Sequence, residues 1–442
     1  MSETRQGTTP TRREFLGTTA TVVGALATAA GGLPAVHAAG SDVIRVGLIG
    51  CGGRGMGAAE NVLQAARGVK IVALADYFKN DEGRGVEPCR QRLIRFAQED
   101  QTVRELGNSV DIPPERCFTG LDAYKHVLNA GVDYVILATP PGFRPYHLQA
   151  AVEAGKHIFT EKPVCVDGPG ARLCLQVYEK ALEKKLGIAA GTQRRHQLGY
   201  IETIKRIHDG AIGRIVAARC YWNQGHIWFR PRQQGMSDLD YQIHNWYHFL
   251  WLSGDHIVEQ HVHNLDVINW ATGQRPERAV GMGGRVRPCK DPAEDGNIYN
   301  FFAVDYEYPH GLHVLSMCRQ INNCEGNVSE ALVGTQGTCQ VNQFVINGKP
   351  VIDRQQARRA TNPYVQEHTD LIESIRAGKP INELKNVTES SLTVVMGRMA
   401  AYTGKAVTWE QALNSQQNLV PERITAAPPV TPVPVPGQTP LV

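Results

Sequence analysis

The stretch VIRVGLIGCGGRGMGAAENVL, Val43 to Leu63, decides the fold. A β-branched, apolar run ends at Gly50, and a helical spacing of apolar residues begins at Met56. Between them Gly50, Gly52 and Gly55 spell GxGxxG. Gly50 permits a tight turn, Gly52 lets the backbone approach a pyrophosphate, and Gly55 lets helix and strand pack closely. The helix start, with Gly53 and Arg54, offers unpaired N–H groups to an anion. The next strand, VKIVALAD (69–76), ends on Asp76, 21 residues past Gly55. An acid there accepts hydrogen bonds from adenosine ribose hydroxyls and repels a 2′-phosphate, so NAD is the expected cofactor and NADP the less favoured one.

Outward from this unit, strands and helices alternate. LDAYKHVLNAG (121–131) reads as a helix, VDYVILATP (132–140) as a strand, RPYHLQAAVEAG (144–155) as a helix with Gly155 at its end, and KHIFTEKP (156–163) as a strand stopped by Pro163. Apolar strands separated by amphipathic helices predict a parallel sheet covered on both faces. The polar piece 79–116 reads as an excursion from it. Past Pro163 come one helix, GARLCLQVYEKALEKK, and then β-rich segments with a hairpin signal at YPHGLH (308–313). The expected fold class is α/β: an N-terminal Rossmann domain over 42–165 and a C-terminal α/β domain with an open, largely antiparallel sheet over 166–415. The cleft between them is the default site.

Both ends differ in character. Arg12 and Arg13 precede a mildly apolar run broken by Thr and Gly, which is too weak for a membrane span. Residues 1–38 read as a twin-arginine signal peptide cleaved after Ala38, so the expected partner is the Tat machinery and the expected location is periplasmic or extracytoplasmic. Residues 421–442 form a Pro-rich, extended tail. With 46 basic and 43 acidic residues the chain lacks the basic excess of a nucleic-acid binder. Ten cysteines without a CxxC read as buried thiols rather than zinc ligands.

The segment ATPPGFRPYHLQAAVEAGKHIFTEKPV (138–164), with its TPP turn, EAGKH and EKP, resembles the Gfo/Idh/MocA oxidoreductase family. The resemblance implies a Rossmann domain joined to an α/β domain whose open sheet makes oligomer contacts, hence a homo-oligomer. It implies chemistry at a carbinol carbon of a sugar, glycoside or cyclitol. It places Thr139, Pro140, Pro141 and His147 on the nicotinamide side, Glu161 under the cofactor, and Lys162 toward the substrate hydroxyl and the nicotinamide ribose.

HIVEQHVHNLDVINW (256–270) reads as one helix, with His256, Glu259 and His263 on a shared face. The family commonly has Asp and then His four residues on; here the pair is Glu259 and His263. His263 is the expected general base, Glu259 its orienting carboxylate that raises its basicity, and Lys162 completes the relay. A metal on His256, Glu259 and His263 is the alternative, but hydride transfer needs none and the spacing is not HExxH, so no metal is assigned. Arg194, Arg195, His244 and Trp246 are the expected sugar contacts, together with His263. An exported enzyme cannot replace a lost cofactor, so NAD is expected to be non-dissociating and its redox state restored in each cycle. Net oxidoreduction between sugars achieves that. So does hydrolysis or elimination by transient oxidation, and a non-catalytic sugar sensor remains the third reading.

Overall fold

A computed structural model describes residues 42–421 and 423–442. The leader expected over 1–38 lies outside the described residues.

The opening stretch forms strand β1 (Ile44–Ile49), the glycine turn and a helix, Gly53–Ala65. β1 is central to a seven-stranded parallel sheet with β2 (Val69–Asp76), β3 (Ser109–Val110), β4 (Cys117–Thr119), β5 (Tyr134–Leu137), β6 (His157–Thr160) and β7 (Ile188–Ala190), in the order β3-β2-β1-β5-β6-β7 with β4 also on β2. The strand order reverses beside β1, where open α/β sheets bind ligands at the carboxyl ends of their strands. Two details differ from the sequence reading. The parallel sheet runs past residue 165 to include β7. The piece 79–116 is no mere excursion, because it holds the helix Val86–Glu99 and the strand β3, which pairs with β2 just before β4 does. The late helix Pro363–Arg376 packs on the helix Gly53–Ala65 and on β7, adding Leu371, Ile372 and Ile375 to the core that β1 and β2 share.

The second sheet has nine strands: β8 (Ile215–Gln224), β9 (Arg278–Gly284), β10 (Phe301–Tyr308), β11 (Leu312–Gln320), β12 (Asn327–Gly334), β13 (Gly337–Gln340), β14 (Val345–Ile346), β15 (Lys349–Pro350) and β16 (Val407–Thr408). Their order is β15-β14-β13-β12-β8-β11-β10-β9-β16, antiparallel except between β8 and β11. Burial alternates along β11, so one face is core and the other open. The helix Leu384–Thr403 is almost wholly buried. On the open face apolar side chains stand exposed in two cross-strand rows: Val280 and Leu315 on either side of Asp305, and Met282 and Met317 on either side of Ala303. Met282 keeps 70% of its surface free. The described part of the tail is extended and docked: Tyr299 donates to Pro434 O, Asn297 to Thr431 O, and Gly437 N to Thr403 O.

Candidate active site

The glycine turn is built against backbone. Gly50 sits at φ +104°, and a Cβ there would lie 2.5 Å from the carbonyl carbon of Ala138. Gly52 and Gly53 differ, since a Cβ at either would meet no protein atom within 4 Å. Both line a cavity of about 420 Å³ with Gly50, Arg54, Asp76, Thr139 and Pro140. The helix that starts at Gly53 has no side-chain cap and no acid in its first turn, so its N–H groups and dipole are left for an anion. These features fit the pyrophosphate of a dinucleotide. Asp76 is held in place, accepting from Cys51 N at 2.6 Å and from Phe78 N at 3.0 Å, and burial raises its pKa. A small niche, lined in part by Tyr77, Leu121, Tyr124 and Phe143, adjoins it. His147 borders that niche. Its Nδ1 lies 3.1 Å from Thr139 Oγ1, and burial, then Arg144, lowers its pKa to about 3. Pro141 is buried and opens the short turn into the next helix.

The strand β6 delivers Glu161 and Lys162, with a cis bond to Pro163. Lys162 Nζ donates to the Glu259 carbonyl at 2.7 Å and to its Oε1 at 3.0 Å, both side chains being buried. Burial raises the pKa of Glu259, against the pull of Lys162. Here the sequence reading needs correction. The single helix expected over 256–270 is divided into His256–Glu259 and Val262–Thr272. His256 faces Tyr247, with Nδ1 at 3.3 Å from its hydroxyl, and His261 faces Ser316. Glu259 serves Lys162 and Gln260 instead of orienting His263. The His263 pKa is accordingly lowered well below its ordinary value rather than raised: burial dominates, then the positive charges of Lys162, Arg194 and Arg54. The ring stacks on Trp222, with centroids 5.6 Å apart, and its Nδ1 has no hydrogen-bond partner.

Other expected contacts are committed within the chain. Arg54 pairs with Glu161 at 2.5 Å and approaches Glu367 at 3.5 Å, which ties the glycine turn to the EKP turn. Arg194 pairs with buried Glu330 beside Trp222. Arg195 forks onto Asp266 and packs on Trp270, lining a separate groove, so it is a structural ion pair outside the glycine-turn cavity. His244 and Trp246 line that cavity itself. Sequence reasoning missed Arg144, a buried arginine that donates to Thr139 O and Pro163 O and so fixes both turns. It also missed Trp222, Trp228, Arg84 and Arg230, which sit on strands and loops without a motif.

Residues 44–187 match the family model "Oxidoreductase family, NAD-binding Rossmann fold", and residues 200–340 match the Gfo/Idh/MocA C-terminal domain. An inositol 2-dehydrogenase of Saccharopolyspora erythraea is 27% identical over 50% of this chain and 57% of its own length. A scyllo-inositol 2-dehydrogenase (NAD(+)) of Bacillus subtilis is 25% identical over 54% and 57%. The chain thus spans under two thirds of these relatives. Among solved structures, the aldose-aldose oxidoreductase of Caulobacter crescentus superposes with a TM-score of 0.60 at 17% identity, over 83% of this chain and 99% of that one. The scyllo-inositol dehydrogenase of Lactobacillus casei, with NAD(H) and scyllo-inositol, gives 0.58 at 17% identity, over 83% and 99%. At these identities the two likenesses show the fold alone. The two matched stretches cover well over half the chain, which therefore belongs to the Gfo/Idh/MocA oxidoreductase family, with an NAD-binding Rossmann domain followed by that family's C-terminal domain.

Proposed function

We propose that this protein is an NAD-linked oxidoreductase acting on a CH–OH carbon of a cyclitol or sugar. The carrying observation is the buried Lys162–Glu259 pair beside a neutral His263, at the carboxyl end of β6. Bound NAD would supply the hydride acceptor. His263 offers a neutral imidazole to the substrate hydroxyl and takes its proton. Lys162, positioned by Glu259, donates a hydrogen bond that stabilises developing negative charge on that oxygen. The names of the inositol dehydrogenases support a cyclitol, and Asp76 supports NAD over NADP. The paired arginines at 12–13 support export in a folded state with the cofactor held throughout.

The test is the absorbance of protein purified from its native compartment, followed by product analysis with inositols and aldoses. Bound nicotinamide with oxidised and reduced products supports the reading, whereas an aglycone released without net redox would assign hydrolysis instead. Asp76→Ala is expected to raise the NADP/NAD ratio of kcat/KM by about 10–100-fold, the value of one charged hydrogen bond. An unchanged ratio would remove the ribose contact.

We further propose a homo-oligomer joined through the open sheet face, because exposed apolar rows of this kind mark interfaces. Met282→Glu with Leu315→Glu should lower the mass measured by light scattering to that of one chain. A wild-type protein already of that mass would sink this assignment.

A further inference from the structure

Gly50 to Arg54 and Asp76 form only part of the 420 Å³ cavity; the remainder comes mainly from residues 77–85 and 228–246. Besides Arg54, which is paired with Glu161, two guanidiniums line it, Arg84 and Arg230. Arg84 already has Glu82 at 3.3 Å and Asp81 at 3.7 Å. Arg230 has no carboxylate within 4 Å among the described residues. It donates to the His244 carbonyl at 2.7 Å, and its guanidinium lies 3.8 Å from the centre of the Trp228 ring. Its backbone is pinned on both sides by Asn245. Burial, then Arg84, lowers its pKa to about 10, so the two cations face each other at a cost. The third group is His244, whose side chain is wholly buried. Its Nδ1 lies 2.8 Å from Asp81 Oδ1, and its Nε2 has no partner. The acids in the wall are spoken for, Asp81 by His244 and Asp76 by the amides of Cys51 and Phe78.

We infer that Arg230, supported by Arg84, is a clasp that reaches from the later half of the chain onto the pyrophosphate of the dinucleotide seated on the glycine turn. The inference rests on the dinucleotide reading above and deepens it. Phosphate is the chemistry that recognises this arrangement: an unpaired planar guanidinium beside a second cation, in the same cavity as an uncapped helix start. A clasp from the loop 225–237 also gives a physical cause for slow cofactor loss, because leaving requires the Arg230–Trp228–His244 unit to open. The phosphate has two possible sources, the pyrophosphate common to both coenzymes and the 2′-phosphate of NADP. Because Arg230 lines one cavity with Gly52 and Gly53, the geometry points to the first.

The test titrates cofactor-stripped full-length protein with NADH and with NADPH, following nicotinamide fluorescence at low and high salt, with release timed by dilution. Arg230→Met should weaken both coenzymes alike by about 10–100-fold, mainly through faster release, and flatten the salt dependence. Arg230→Lys should recover part of the loss. Arg84→Gln, which leaves the Trp228–Asn245 packing intact, should weaken both by several-fold and serves as the reading if Arg230→Met does not fold. Wild-type affinity in both Arg230→Met and Arg84→Gln would overturn the clasp, as would a loss confined to NADPH. A wild-type protein that binds neither coenzyme overturns the dinucleotide reading itself, a result distinguishable from failure of the clasp alone.

Discussion

Lys162→Met lowers kcat by about 10³-fold while NADH still binds, because removing a preorganised donor to a developing oxyanion costs about 10²–10³-fold. The lysine is not a surface residue whose loss water can replace. It is buried, and both of its contacts are to Glu259. Without it, Glu259 becomes a buried carboxylate with no cation, which costs about 3–5 kcal/mol or forces the carboxyl to take up a proton. The thermal midpoint therefore falls in the single variant and recovers in Lys162→Met combined with Glu259→Leu, whereas activity stays low in both. His263→Ala loses activity on the same scale, and its midpoint falls through the lost packing on Trp222 and not through a lost partner of Nδ1. The pH profile separates the roles. A neutral imidazole is required for oxidation, and the His263 pKa lies well below 6.5, so kcat/KM should stay flat as pH falls through 6.5. Its acid limb belongs at lower pH, where His263 gains a proton or Glu259, with its raised pKa, releases Lys162. A Lys162→Met or His263→Ala enzyme within tenfold of wild type would reject the assignment, and a midpoint at 6.5 or above would reject a neutral buried base.

The sequence carried the first sheet and its turn because each signal there is local. A strand, three glycines and an acid at a fixed distance all report on backbone conformation within about 35 residues. The two-sheet, α/β class was legible for the same reason, from an alternating pattern that changes period after Pro163. The side-chain partners were not legible, because partners are set by tertiary contact. Glu259 and His263 are four apart, and helix geometry alone made them a couple. The break after Glu259 and the arrival of Lys162, 97 positions earlier, gave the carboxylate a stronger partner than an imidazole. Arg195 misled in the same way, since its charge suggested a sugar contact until Asp266, 71 positions away, neutralised it. His196 shows the scale of such pairing. Burial pulls its pKa down, yet Asp370 and Glu383 carry it up to about 10. No spacing in the sequence announces that those three meet.

Gly55→Ala should cost at least about 3 kcal/mol of stability and abolish cofactor binding, although it adds one methyl group. The added Cβ would lie 1.8 Å from Gly50 O, and the obstacle is backbone rather than the tip of a flexible side chain. Gly50 cannot retreat, because its own N–H is bonded to Ala75 O at 2.8 Å and its φ of +104° is closed to other residues. The helix must lift from β1, opening the apolar contact made by Met56, Ala59 and Val62 and moving the N–H groups that face the anion. Ordinary overpacking costs about 1–3 kcal/mol because side chains share the displacement; here nothing shares it. Gly53→Ala is the control that isolates the cofactor from the fold. Its Cβ meets no protein atom within 4 Å, so stability should hold within about 0.5 kcal/mol, while NADH affinity should fall about tenfold or more as the methyl enters the cavity. Thermal denaturation with and without NADH reads both quantities at once. If Gly55→Ala still binds NADH as wild type does, the turn is not the cofactor seat. If Gly53→Ala binds normally, the pyrophosphate does not lie over that helix start.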